Sequence, residues 1–400
     1  MQITGPRAPA GPAAPYAAAP QQPDWANHPD LPLVRGELAA ARALVTAEEV
    51  AAARRALASA ARGSARVLQA GDCAESFADD GAARTAAKAA ALASLAGRLH
   101  ERTGEDVALF GRMAGQYAKP RSRPVETVEG VELPAYRGDL INSATADARS
   151  RRHDPHRMLR AHRAASRVLG ALRAHHGDGA ADTPGGTDGP WVCHEALVLD
   201  WEESLLRTDP VTGGSFLSST HFPWVGARTR QPEGAHVRLL ASVVNPVGCK
   251  IGPSADPEDV IRLCEVLDPE REPGRLTLIV RMGAAALPEL LPEVVRRVRR
   301  AGHPVVWLSD PMHGNTVRTL SGRKTRYLDD VIEEARCFMR VVESAGAHPG
   351  GLHLEVADRE VTECVGGPVA DESQLGARYE SLCDPRLCPE QARMLIDAVL

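Results

Sequence analysis

His303-Pro-Val-Val-Trp-Leu-Ser-Asp-Pro-Met-His-Gly-Asn-Thr316 is the stretch on which the reading of the chain turns. Val305 to Leu308 is a short apolar run, and it gives way to a turn built from Pro, Gly and Asn. That is the pattern of a buried parallel strand ending in a functional loop. His313 sits in the turn. A histidine just past a strand end can offer a ring nitrogen to a metal or a substrate, whereas a loop histidine without partners is only solvated. The rest of the chain has to decide between the two.

Working outward, the same pattern recurs. Ala65 to Ala70 breaks into the polar run Gly71 to Ser76, and Val107 to Phe110 breaks into Gly111 to Ser122. Further candidate strands are Ser215 to Phe222, Ser242 to Val247, Leu276 to Val280 and Leu352 to Val356. Helices are expected over 37–61, 82–102, 256–267, 286–301 and 328–345. Repetition of strand, loop and helix predicts an α/β fold with a parallel sheet. About eight such units in roughly 340 residues favour a closed (β/α)8 TIM barrel over an open sheet. Residues 1–24 are rich in Ala, Pro and Gln, with no charged start and apolar core, and read as a disordered tail rather than a signal peptide. Residues 25–62 are expected to form an N-terminal helical extension, and 63–400 the barrel, with a flexible connector near 171–190 too poor in apolar residues to pack.

Composition narrows the function. The 400 residues are 44% hydrophobic, enough for a large core, and carry a net charge of −5 with 4% aromatic residues and no dense basic block. Nucleic acid and anionic membranes are therefore poor partners, and no apolar run approaches membrane-spanning length. A cytoplasmic protein is expected. Eight cysteines without C-x-x-C spacing indicate neither a disulfide scaffold nor a zinc knuckle. The chain uses 43 arginines and only four lysines, at 88, 119, 250 and 324. A compact ammonium is hard to replace where it meets a substrate oxygen at close range. Lys119 and Lys250 both come after segments that look like strand ends.

In a (β/α)8 barrel the loops after the strands gather at one mouth. Cys73, Arg112, Arg228, Lys250, Arg281, His313 and Glu355 come after successive strands, and Asp384 lies in the later loop Cys383-Asp-Pro-Arg386. Cys73, His313, Glu355 and Asp384 are S, N and O donors, a mixed set suited to a borderline divalent ion that must also bind a substrate oxygen. Arg112, Arg228, Lys250 and Arg281 are cations suited to a small molecule carrying both phosphate and carboxylate. Taken singly, Cys73 could be a buried thiol, Glu355 and Asp384 salt-bridge partners, and Arg281 a surface residue. Jointly, the eight placements argue for a site.

The runs Gly71-Asp-Cys-Ala-Glu-Ser-Phe77, Gly111-Arg-Met-Ala-Gly-Gln-Tyr-Ala-Lys-Pro-Arg-Ser122, Tyr136-Arg-Gly-Asp139, Asn245-Pro-Val-Gly248, Arg281-Met-Gly283, Asp310-Pro-Met-His-Gly-Asn-Thr316, His348-Pro-Gly-Gly351 and Val361-Thr-Glu-Cys-Val-Gly-Gly367 are long and in order. From about Asp24 to the C-terminus the chain resembles the class II (plant-type) 3-deoxy-D-arabino-heptulosonate 7-phosphate (DAHP) synthases. The resemblance implies condensation of phosphoenolpyruvate with erythrose 4-phosphate and water to give DAHP and phosphate, the entry step of the shikimate pathway. It implies a divalent metal, manganese or cobalt, on Cys73, His313, Glu355 and Asp384. Phosphoenolpyruvate would meet Arg112, Arg228, Lys250 and Arg281, with Lys119 beside it and Ala227 at the phosphate site. Arg121 and Ser122 would seat the aldose phosphate, and Lys119, Lys250 and His313 would be the catalytic side chains. Dimerisation through the N-terminal segment is also carried over from the family.

Two departures bear on that expectation. The family usually reads Gly-Glu-Arg-Thr-Arg where this chain has Gly226-Ala-Arg-Thr-Arg230, so a carboxylate is missing beside the phosphate site. The connector at 171–190 is too short and polar to supply the helices with which larger relatives bind aromatic amino acids, which points to a short form that supplies secondary metabolism. Cys383 adjoins Asp384 and could bridge to Cys73 when the metal is absent. The alternatives are the same chemistry on a modified aldose phosphate, as in an amino-DAHP route, and a catalytically weakened metal-binding homologue.

Overall fold

Apolar runs of four to seven residues, too short for helices, form the staves of the fold. The computed structural model describes residues 19–128, 130–177 and 190–400. Its strands are β1 (Ala65–Gly71), β2 (Asp106–Arg112), β3 (Val125–Val128), β4 (Val131–Pro134), β5 (Trp191–Glu195), β6 (Leu206–Thr208), β7 (Ser215–Leu217), β8 (Phe222–Val225), β9 (Val247–Ile251), β10 (Leu276–Val280), β11 (Val306–Ser309), β12 (Val317–Arg318), β13 (Lys324–Thr325) and β14 (Pro349–Glu355). The helices are α1 (Leu31–Ala40), α2 (Ala47–Ala61), α3 (Ala82–Thr103), α4 (His156–Gly177), α5 (Leu199–Ser204), α6 (Ala235–Ala241), α7 (Pro257–Leu267), α8 (Leu287–Arg300), α9 (Leu328–Ser344) and α10 (Pro389–Val399). Eight parallel strands close in the order β1-β14-β11-β10-β9-β8-β5-β2, so the fold is the expected (β/α)8 barrel. Three antiparallel ribbons, β3-β4, β6-β7 and β12-β13, stand outside it.

Two of the expected strands are displaced, both for local polar reasons. Ser215 to Phe222 does not form one strand: β7 pairs with β6 outside the barrel, and the stave is β8. Between them the Asn245 amide bonds Leu217 N–H (2.8 Å), Leu217 C=O (3.1 Å) and Thr220 C=O (3.0 Å), taking backbone groups that a ladder would need. The stave expected over Ser242 to Val247 begins only at Val247, because Pro246 offers no N–H and Asn245 is committed to that turn. Strand β5 was not anticipated.

The helix expected over 37–61 is two helices. Thr46 starts the second with a capping box: its hydroxyl accepts from Glu49 N–H (3.2 Å) while the Glu49 carboxylate accepts from Thr46 N–H (2.7 Å). One face of α2, Ala53, Leu57 and Ala60, is buried against Val67, Phe110, Trp191, Phe222, Ile279 and Val306. This closes the N-terminal end of the barrel. Contact there is tight at Gly274, where φ is +84° and an added Cβ would lie 2.4 Å from the Arg54 carbonyl oxygen. The opposite end is left for chemistry. Of the expected connector, 171–177 belongs to α4 and 178–189 lies outside the described residues, as does most of the expected N-terminal tail. No helix among the described residues is long and apolar enough to cross a membrane.

Candidate active site

Strand register sets the site. Gly71, the last residue of β1, pairs with Arg112 at the end of β2 and with Glu355 at the end of β14. Its φ of +140° and the 3.0 Å from an added Cβ to the Arg112 carbonyl oxygen leave room for no side chain. Cys73 lies two residues further on, so sulfur, guanidinium and carboxylate meet at one rim.

The four residues expected as metal ligands converge there. Sulfur and carboxylate atoms of Cys73, Glu355 and Asp384 lie within 4.8 Å of one another. His313 joins them through Nε2, 3.0 Å from Glu355 Oε1. The Lys119 ammonium stands among all four, at 2.8 Å from Cys73 Sγ, 2.8 Å from Glu355 Oε1, 2.9 Å from Asp384 Oδ2 and 3.4 Å from His313 Nε2. Burial works against an ionised Glu355, but the charges of His313, Lys119 and Arg326 outweigh it and hold the carboxyl well below the usual range. Asp384 is likewise held low, burial being overcome chiefly by Lys119. Burial, the Cys383 thiol and the Glu355 charge push the Cys73 thiol up. The Asp310 carboxylate takes His313 Nδ1 at 2.8 Å, which fixes the ring and turns Nε2 toward the other donors.

The expected substrate cations are placed unequally. Lys250 is buried, donates to Asp310 (2.8 Å) and lies over the Trp224 ring; burial lowers its pKa. Arg281 donates to the His313 carbonyl (2.7 Å). Arg112 is 2% exposed, with donors committed to Asp72 C=O, Cys73 C=O, His353 and Glu355. Arg228 is exposed on the turn after β8, and its guanidinium makes no ion pair among the described residues. Ala227 adjoins it, half-buried. Arg121 pairs with Glu126, and Ser122 is exposed, both on the segment between β2 and β3.

The profile of the Class-II DAHP synthetase family matches residues 15–187 and 185–399. The chain is 46% identical over 372 residues to a protein of Pseudomonas fluorescens named "Probable phospho-2-dehydro-3-deoxyheptonate aldolase", covering 93% of this chain and 92% of that one. It is 40% identical over 419 residues to the "Phospho-2-dehydro-3-deoxyheptonate aldolase" of Streptomyces coelicolor, covering 94% and 93%. The chain belongs to the class-II DAHP synthetase family. Membership brings the enzyme assignment, DAHP synthase activity, with phosphoenolpyruvate and erythrose 4-phosphate as the substrates that the family implies. A solved structure of phospho-2-dehydro-3-deoxyheptonate aldolase from Francisella tularensis shares the fold, with TM-score 0.55 at 13% identity over 92% of this chain and 96% of that one.

The family generally uses a divalent metal, and the donors present fit one. Sulfur, imidazole and two carboxylates face a single point, and the ammonium already lodged among them shows that the point suits a cation. A second grouping of Asp310, His313 and His353 is less suited, because both ring nitrogens of His353 are engaged, with Gln69 (2.6 Å) and Arg112 (2.7 Å).

Several residues of this synthase site were not anticipated. Arg326, fully buried, bonds Glu355 Oε2 (2.8 Å), Thr316 (3.0 Å) and the Pro385 carbonyl. Lys324 bonds Asp384 Oδ1 (2.7 Å). Glu195 ends β5 with a buried Oε1 that has no hydrogen-bond partner among the described residues. Burial raises its pKa, against the charges of Lys250, Lys119, His313 and Arg112. The position of Glu195, at the end of an apolar Trp-Val-Cys run, was the available signal.

Proposed function

We propose that the condensation requires a divalent cation, manganese or cobalt, held by Cys73, His313, Glu355 and Asp384. The lodging of the Lys119 ammonium among those four donors carries this reading. When bound, the ion supplies Lewis acidity to the aldehyde oxygen of erythrose 4-phosphate. The remaining work falls to the chain. Arg281, Lys250 and Arg228, with the backbone at Ala227, bind phosphoenolpyruvate and balance its charge while its methylene carbon attacks the aldehyde carbon. Arg112, held by the Asp72 and Cys73 carbonyls, His353 and Glu355, adds a fixed positive charge to the phosphoenolpyruvate site, with Lys119 beside it. Arg121 and Ser122 take the aldose phosphate at the rim. His313, held by Asp310, keeps its geometry throughout.

Water then adds to the second carbon of the enol phosphate and phosphate leaves. Glu195 receives the proton of that water and passes it on to the former aldehyde oxygen, which ends as a hydroxyl: its buried Oε1 has no hydrogen-bond partner among the described residues, and its raised pKa suits a base. The expected result is a fall in kcat of at least about 100-fold in Glu195→Gln, with KM for phosphoenolpyruvate little changed; unaltered kcat would remove Glu195 from the mechanism.

The deciding experiment strips the protein with a chelator and tracks loss of phosphoenolpyruvate with and without erythrose 4-phosphate. Turnover should vanish and return with Mn2+; turnover that survives stripping would refute the metal reading, and loss only with a modified aldose phosphate would favour an amino-DAHP route. Eight free, buried thiols support a reducing compartment, hence the cytoplasm. Supply of secondary metabolism and a homodimer complete the reading on family resemblance.

A further inference from the structure

The four lysines are not scattered. Lys119 bonds Glu355 and Asp384 directly, and Lys250 bonds Asp310, which holds His313. Lys88 is paired at 2.7 Å with Asp72, the neighbour of Cys73, and Lys324 at 2.7 Å with Asp384. In a chain that otherwise uses arginine, every lysine thus braces one of the four donors or the carboxylate beside it.

We infer that Lys324 is a positioning residue that fixes the Asp384 carboxylate, holding Oδ1 from outside so that Oδ2 faces Cys73 and Glu355. This rests on the metal reading above. The geometry is specific. Lys324 Nζ bonds both Asp384 Oδ1 (2.7 Å) and the Cys383 carbonyl (3.3 Å), so one ammonium ties side chain and backbone of the ligand loop. The lysine is itself seated: Tyr379 hydroxyl donates to its carbonyl (3.0 Å), and the next residue, Thr325, is buried and donates to Glu363 C=O (2.9 Å). Glu363 in turn accepts from the N–H groups of Glu380 (3.0 Å), Ser381 (2.8 Å) and Arg386 (2.7 Å), fixing the backbone on either side of Asp384. These contacts hold the loop but not the carboxylate, which Lys119 meets at Oδ2 (2.9 Å) from the donor side only. Lys324 supplies what they lack. A guanidinium is wider and planar, and cannot meet two oxygens from one compact point in the same space.

The test is Mn2+ affinity of chelator-stripped protein, read from the free-ion signal by electron paramagnetic resonance, for the natural chain, Lys324→Met and Lys324→Arg, with thermal melts of each stripped protein. Lys324→Met should bind Mn2+ about 10- to 100-fold more weakly, with Lys324→Arg recovering only part of the loss and the stripped proteins melting within about 2 °C of one another. Unchanged affinity, or tighter binding from removal of a competing positive charge, overturns the inference. So does a fall in melting temperature that accounts for the weaker binding. Failure of the natural chain itself to bind Mn2+ would instead refute the metal reading, and so is distinguishable.

Discussion

Arg326→Met removes the sole hydrogen-bond donor on Glu355 Oε2 among the described residues, while leaving Arg112, Lys119 and His313 on Oε1. Both members of the pair are 0% exposed, so the orphaned oxygen gains no water in exchange. Breaking a buried pair from one side costs about 3–5 kcal/mol. Unfolding entropy of about 2.1 cal/mol/K per residue gives roughly 0.8 kcal/mol/K for a chain of 400 residues. The stripped variant should therefore melt about 4–6 °C lower. Loss of the bonds to Thr316 and the Pro385 carbonyl adds to this, so a double-mutant cycle is needed. Melts of the natural chain, Arg326→Met, Glu355→Gln and the double variant, all chelator-treated at one scan rate, give the coupling. Additive single effects, or an Arg326→Met melt within about 1 °C of the natural chain, would refute the claim that this pair braces the ligand carboxylate.

Burial pushes Glu334 up to about 7 from 4.5, although Met282 and Gly283 N–H groups and the Asn315 amide donate to it. A folded carboxyl that binds its proton more tightly than the unfolded one loses stability as pH rises across that window, by about 3 kcal/mol here. Glu334→Gln should flatten that slope between pH 4.5 and 7; an unchanged slope would acquit Glu334. Cys73 and Cys383 pack together in one small buried cluster with Tyr136, so metal-free, air-oxidised protein should yield a Cys73–Cys383 disulfide on peptide mapping, and its absence rejects the redox link. Ala227→Glu should leave turnover within about twofold if the position serves through its backbone N–H, and a gain of about tenfold would show that the missing carboxylate matters. Phe, Tyr and Trp should not inhibit the purified protein; strong inhibition by any of them would overturn the short-form reading.

The barrel was legible because its signal is periodic: short apolar runs, each ending in a polar loop, can hardly be anything else at this length. The donors and cations at strand ends were legible for the same reason, since topology alone sends Cys73, Lys250, His313 and Glu355 to one mouth. The residues that escaped lie where periodicity fails. Strand β5 comes after the polar connector, so Glu195 had no expected strand to end. Lys324 and Arg326 lie in or beside a two-residue strand of an outlying ribbon. Asp310 stands inside the His303–Thr316 stretch and reads as a turn residue; its bonds to both His313 and Lys250 arise only when the fold brings β9 beside that turn.

The loops at the mouth are themselves held by buried carboxylates. Glu75 accepts from the N–H groups of Ala114 (2.9 Å), Gly115 (2.9 Å) and Gln116 (2.8 Å); Glu334 holds the end of β10; Glu363 holds the Asp384 loop. Burying a carboxylate is unfavourable unless its oxygens are satisfied, and backbone amides satisfy them here. An apolar side chain of similar size would fill the space without orienting the amides. Three such anchors, each holding a different segment at the mouth, therefore argue that the mouth gains preorganisation rather than net stability from them. A site that must hold a cation and two phosphorylated substrates in register has use for that rigidity, because donors already in place need no rearrangement when charge develops.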